Sequence, residues 1–154
     1  GGYTGTNLTN SESYNGTSWT NAPTINTARR HAGSAGTQTA AVLFTGYATT
    51  TSTNTEEYDG SSWTTVNPTT VARDAGLGGG DLQTSAFIAT GNPGVLTEHY
   101  NGTIWSAAPN VATARNNGAA AGTTNSGLGF GGYNNKNNTE EFTTAAATKT
   151  FTTS

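Results

Sequence analysis

The chain contains no cysteine and no methionine among its 154 residues, and only 10% of them are charged. The first absence excludes a disulfide framework and thiol chemistry, although it assigns no compartment, because extracellular proteins can also do without disulfides. The second extends to the first residue and points to a processed product or a piece of a longer chain. Six lysines and arginines against nine aspartates and glutamates leave a net charge of −3. There is thus no cationic excess to neutralise a phosphate backbone or an anionic membrane surface. The longest strongly apolar run, Ala40-Ala41-Val42-Leu43-Phe44, is far too short for a membrane span or a signal-peptide core.

Bulky apolar residues are also scarce. Only 32% of the chain is hydrophobic, and many of those residues are alanines too small to fill a thick core. Any core must be thin and distributed. Threonine is the commonest residue, glycine occurs 21 times, and no stretch of helix formers carries apolar positions at three-to-four spacing. The composition therefore reads as all-β. So polar a chain could in principle be disordered, but its aromatic residues are regularly spaced, which a disordered chain does not require.

That spacing is the strongest signal present. An aromatic residue follows a glutamate by two positions at Glu12/Tyr14, Glu56/Tyr58, Glu98/Tyr100 and Glu140/Phe142, and the first three pairs are followed five residues later by Trp19, Trp63 and Trp105. Ten residues beyond each tryptophan stands an arginine, Arg29, Arg73 or Arg115, so the repeat is 44 and then 42 residues long. Periods of roughly 20–50 residues mark solenoids, propellers or arrays.

Each unit reads as four strands. Glycine- and alanine-rich segments run from Arg29 to Gly36, Arg73 to Gly80 and Arg115 to Gly122; after a polar turn come Ala40 to Phe44, Ala86 to Ala89 and Gly127 to Phe130. Glycines close these second strands at Gly46, Gly91 and Gly132, with Gly2 in the matching place. A variable loop then leads to the glutamate–aromatic strand. Asn15-Gly16, Asp59-Gly60 and Asn101-Gly102 follow it, and such dipeptides predict a type I′ hairpin with positive φ at both central residues. The fourth strand carries the tryptophan. Because Tyr58 and Trp63 differ by an odd number, any even-length loop puts both, with Glu56, on one face of the sheet. Phe142 and Phe151 in the last unit keep that parity.

A carboxylate beside two large aromatics needs a partner if it is buried. One arginine per unit is available, which predicts the pairs Arg29–Glu56, Arg73–Glu98 and Arg115–Glu140. Glu12 has no upstream arginine, a second sign that something precedes Gly1. The expected organisation is a single repeat domain over residues 1–154, with a partial blade at 1–26 and blades at 27–70, 71–112 and 113–154.

Four short strands per unit, a glycine after the second, a tyrosine in the third and a tryptophan in the fourth together resemble kelch repeats over essentially the whole chain. The wording of the repeats, Thr55-Glu56-Glu57-Tyr58-Asp59-Gly60-Ser61-Ser62-Trp63, Thr27-Ala28-Arg29-Arg30 and Asn138-Thr139-Glu140-Glu141-Phe142 among them, is similar to kelch-like repeats in virion proteins of marine tailed phages. The resemblance implies a β-propeller and a structural or host-contacting virion component of tail or fibre type, located on a virion or outside the cell. About fifteen strands do not close a ring of six or seven blades. The remaining blades belong to a longer chain or to a second copy, or the array stays open.

Enzymatic motifs are thin. Gly127 to Gly132 matches G-x-G-x-x-G, but it forms a second strand and no helix follows to receive a pyrophosphate. His31 and His99 lie in different units without metal-ligand spacing. One glutamate per unit is what a structural role predicts, whereas glycoside hydrolysis needs two facing carboxylates. Asn7, Asn15, Asn101 and Asn137 begin sequons, two of which are the hairpin turns themselves. No cofactor, metal site or nucleic-acid partner is expected. The framework residues are Glu12, Glu56, Glu98, Glu140, Tyr14, Tyr58, Tyr100, Phe142, Trp19, Trp63, Trp105, Arg29, Arg73 and Arg115. The ligand-binding candidates are the residues just past the second-strand glycines, Tyr3, Tyr47, Asn92 and Tyr133, since tyrosines on a rigid scaffold stack on sugars and hydrogen-bond them. A non-enzymatic interaction module is the first expectation, a surface lectin-like module the second and a carbohydrate-active enzyme the third. Expected partners are other protein chains, through self-association or upstream blades, and a host-surface glycan.

Overall fold

A computed structural model gives the architecture and describes residues 1–92, 94–133 and 139–143. Among the described residues thirteen strands form four antiparallel sheets in a blade-like arrangement, and there is no helix. The first sheet pairs β1 (Ser11–Tyr14) with β2 (Trp19–Ala22). The second runs in chain order through β3 (Gly33–Thr37), β4 (Ala40–Phe44), β5 (Thr55–Tyr58) and β6 (Trp63–Val66). The third does the same with β7 (Leu77–Leu82), β8 (Ser85–Ala89), β9 (Thr97–Tyr100) and β10 (Trp105–Ala108). The fourth contains β11 (Ala119–Thr123), β12 (Ser126–Phe130) and β13 (Thr139–Thr143), and the expected strand at Phe151 lies outside the described residues.

The first strands begin four residues after their arginines, at Gly33, Leu77 and Ala119, rather than at the arginines themselves. They lie side by side, β3 against β7 and β7 against β11. Small residues are needed there because backbones meet: a Cβ on Gly78 would stand 2.7 Å from the Gly33 Cα. The sheets then fan outward, and apolar side chains fill the wedge between neighbours. Between the second and third sheets the core consists of Val42, Phe44, Ala86, Ile88, Tyr100 and Trp105. A single layer of side chains between sheets is the thin core that so low a hydrophobic content permits.

All three Asn/Asp-Gly hairpins form, but not as type I′ turns. Each loop has four residues, and only the glycine, Gly16, Gly60 or Gly102, has positive φ. The preceding side chain does the rest: Asn15 Oδ1 accepts the N–H groups of Thr17 and Ser18, Asp59 Oδ1 those of Ser61 and Ser62, and Asn101 Oδ1 those of Thr103 and Ile104. An Asx turn and a type I′ turn share the same preferred dipeptide, which is why the sequence alone suggests the wrong one. The even loop length preserves the predicted parity, and Tyr–Trp ring centroids lie 5.0–5.1 Å apart in all three hairpins.

Candidate functional site

The charged residues of the repeat build a framework rather than a reaction centre. Arg29, Arg73 and Arg115 each pair through Nη2 with Glu56, Glu98 and Glu140 respectively, as the spacing predicts. Nη1 of Arg29 and of Arg73 donates to carbonyls at the two ends of the loop joining the second and third strands, and Nη1 of Arg115 donates to the Gly131 carbonyl. Arg29 reaches Thr45 and Asn54, and Arg73 reaches Thr90 and Leu96. The glutamate accepts in turn from backbone of the segment arriving from the previous sheet: Asn26 and Thr27 N–H to Glu56, Thr70 N–H to Glu98, Ala112 and Thr113 N–H to Glu140. One ion pair thus fastens a linker, a loop and a third strand together, with carboxylate and guanidinium both buried in the second and third sheets.

Burial lowers the pKa of Arg29 and Arg73, opposed by the facing glutamates. At the more open Glu140 burial favours the neutral acid, but donors from Thr113, Ala112 and Arg115 outweigh it and hold the carboxyl below its usual range. Glu12 has no such clip among the described residues and borders an open cleft with Gly1, Leu8, Asn10, Ser11 and Trp19.

The loop face is where the repeats differ. Thr45 and Thr90, both at φ 57°, precede Gly46 and Gly91 at φ 98° and 96°. Two consecutive left-handed residues turn the chain sharply off the second strand, and the arginine clip holds both carbonyls that flank the turn. Tyr47 and Asn92 are the next residues along. Tyr47 exchanges backbone hydrogen bonds with Arg30, Asn92 N–H donates to the Asp74 carbonyl, and Tyr133 N–H donates to that of Asn116. Tyr47, Asn92 and Tyr133 therefore occupy equivalent stations, and of the four candidates Tyr3 and Tyr133 are exposed.

Only two of them meet. The Arg30 guanidinium lies between the Tyr3 and Tyr47 rings, 4.4 and 4.5 Å from their centroids. Asn7 Oδ1 accepts from Arg30 Nη1 at 2.9 Å, while Asn7 Nδ2 donates to the Ala48 carbonyl. Beside this stack, half-exposed His31 faces Asp74, with Nδ1 3.7 Å from Oδ2. Sequence reasoning missed Arg30 and Asp74 as site residues, and read Asn7 only as the start of a sequon and His31 only as a histidine without metal-ligand spacing. A signal for the first exists: Arg29-Arg30 departs from Arg73-Asp74 and Arg115-Asn116, so Arg30 is a charge that the framework does not require.

His99, the other histidine, packs against Phe87 and Phe142, and burial holds its pKa below the ordinary value. A cavity of about 420 Å³ lies between the third and fourth sheets, where Gly127 and Gly129 replace the side chains of Ala86 and Ile88. No group of three or more potential metal ligands occurs among the described residues. The arrangement can stack and hydrogen-bond a ligand on the loop face.

No family model matches the chain, and no curated protein does. Solved structures do. One of them, described as "Structure of YjhT", superposes with a TM-score of 0.69 at 14% identity over 84% of this chain. The matched part is 47% of that protein, so the chain spans about half its length. A likeness at this identity concerns the fold alone.

Proposed function

We propose that the chain is a non-enzymatic β-propeller module that contacts a host surface or neighbouring virion proteins, as part of a phage tail or fibre. The observation that carries this reading is a division of labour. The recurring carboxylates Glu56, Glu98 and Glu140 are each paired with the arginine of their repeat, while the residues that follow the second-strand glycines, Tyr3, Tyr47, Asn92 and Tyr133, differ between repeats in type or exposure. The resemblance to kelch-like virion repeats supplies the virion or extracellular setting.

A lectin-like surface module is the second reading. It is favoured by exposed Tyr3 and Tyr133 and by the Arg30 stack, which offers aromatic surface beside guanidinium N–H groups. Binding of labelled protein to whole bacterial cells and to an immobilised glycan panel tests both. The double variant Tyr3→Ala/Tyr47→Ala is expected to lose at least about tenfold in affinity, equivalent to about 1.4 kcal/mol, with its unfolding midpoint kept. Undiminished binding by a folded double variant would count against the loop face. Turnover of a glycan abolished by one carboxylate substitution would instead favour an enzyme.

A further inference from the structure

Two surfaces at opposite ends of the described blade series are partly or largely exposed, and their residues match. On the fourth sheet Leu128 and Phe130 are each 38% exposed; Leu128 stands in register with Glu141 and Phe130 with Thr139. In the second sheet the same register positions hold Val42 opposite Glu57 and Phe44 opposite Thr55. Three of the four residue types are identical, and the fourth is again aliphatic.

The second sheet's version of this surface is occupied. Trp105 packs edge-on against Phe44 with centroids 4.8 Å apart, its Nε1 donates to Thr55 Oγ1 at 3.0 Å, and the Tyr100 hydroxyl donates to Glu57 at 2.9 Å. The incoming element is thus a Tyr–Trp hairpin. The first sheet carries another such hairpin with the same internal geometry, yet Tyr14 and Trp19 face solvent, Trp19 at 65% exposure. The junction between the third and fourth sheets follows a different rule: Phe87, Ala89, Thr97 and His99 occupy the receiving positions, and Phe142 is what arrives.

We propose that the Tyr14–Trp19 hairpin of one copy docks on the Leu128–Phe130 surface of a second copy, head to tail, repeating the junction between the second and third sheets. Trp19 then packs on Phe130 and donates through Nε1 to Thr139, and the Tyr14 hydroxyl donates to Glu141. An incidental apolar patch would expose leucine and phenylalanine. It would not also reproduce, in register, the threonine and glutamate that satisfy the two polar tips of the aromatic pair. The contact is heterologous, so repetition gives a closed ring or an open series.

This names a partner for the interaction module proposed above and does not depend on what the loop face binds. Light scattering over a concentration series, on the full chain, reads it directly. Wild type is expected to self-associate, and Trp19→Asp and Phe130→Asp are each expected to be monomeric while retaining the wild-type circular dichroism. An equimolar mixture of the two variants keeps one intact junction and is expected to give a heterodimer that grows no further. Leu128→Glu replaces Phe130→Asp should the latter fail to fold. A monomeric wild type would overturn the proposal and leave the surfaces to further blades or another protein. Association that survives either variant, or a mixture that stays monomeric, would overturn it equally. Both variants leave Tyr3, Arg30 and Tyr47 in place, so failure here is distinguishable from failure of the loop-face reading.

Discussion

The hairpins of the first and third sheets are nearly the same object in two surroundings. Tyr14–Trp19 and Tyr100–Trp105 both have ring centroids 5.0 Å apart, at 34° and 29°, and both close through an asparagine side chain that caps two N–H groups. Yet Trp105 is 5% exposed and Trp19 65%. Local geometry is therefore written into about ten residues and does not depend on burial. Energetic weight comes from what meets the rings: the second sheet supplies Phe44, Thr55 and Glu57 to the Tyr100–Trp105 pair, whereas among the described residues it gives the other hairpin only the Gln38 amide, which donates to Ser13 Oγ and the Tyr14 carbonyl.

The largest expected contrast lies in the glutamates. Glu98→Gln leaves the buried Arg73 guanidinium without its counter-charge and is expected to cost about 3–5 kcal/mol in urea unfolding, the usual effect of breaking a buried pair. Glu12→Gln, with no clip to break, is expected to change stability by less than about 0.5 kcal/mol. Equal losses would mean that Glu12 is partnered in solution and that the comparison is false.

The tryptophans come next. Trp105→Ala removes a buried ring and an indole hydrogen bond and should cost about 3–5 kcal/mol. Trp19→Ala should cost less than about 0.5 kcal/mol when unfolding is followed at concentrations where the chain is monomeric. A smaller pair of effects separates the hydroxyls. Tyr100→Phe loses a hydrogen bond to the ionised Glu57, about 1.5–3 kcal/mol, whereas Tyr58→Phe loses an exposed bond to the Gly60 carbonyl, about 0.5 kcal/mol.

What the sequence reveals follows the same division. The Arg29–Glu56, Arg73–Glu98 and Arg115–Glu140 pairs are legible because each repeats at fixed spacing and a buried carboxylate has few solutions. Parity of Glu56, Tyr58 and Trp63 is legible because it depends only on alternation along strands. The turn type was not, since Asn-Gly and Asp-Gly suit two backbone solutions and the choice rests on where Oδ1 points. Nor was the meeting of Tyr3, Arg30 and Tyr47, which requires knowing that the loops of consecutive sheets lie side by side. Exposure of Trp19 is equally non-local, because its motif is the one that buries Trp105.

The smallest expected effect tests the turns themselves. Asp59 accepts from the Ser61 hydroxyl and from the Ser61 and Ser62 N–H groups, which lower its carboxyl pKa to about 2. Asn15 and Asn101 hold the equivalent N–H groups with a neutral amide oxygen. A carboxylate with a depressed pKa contributes stability that is present above its unfolded pKa, near 3.9, and is lost as pH falls through the folded value. The second sheet's hairpin is thus expected to weaken between about pH 4 and pH 2, while the two asparagine hairpins do not respond through their caps. Side-chain carboxyl shifts followed by NMR should give a midpoint near 2 for Asp59, and Asp59→Asn should leave stability at neutral pH almost unchanged while removing that acid response. An Asp59 midpoint in the ordinary range would mean that the exposed turn does not hold its cap in solution. The common geometry of the three hairpins would then have to come from the aromatic pair alone.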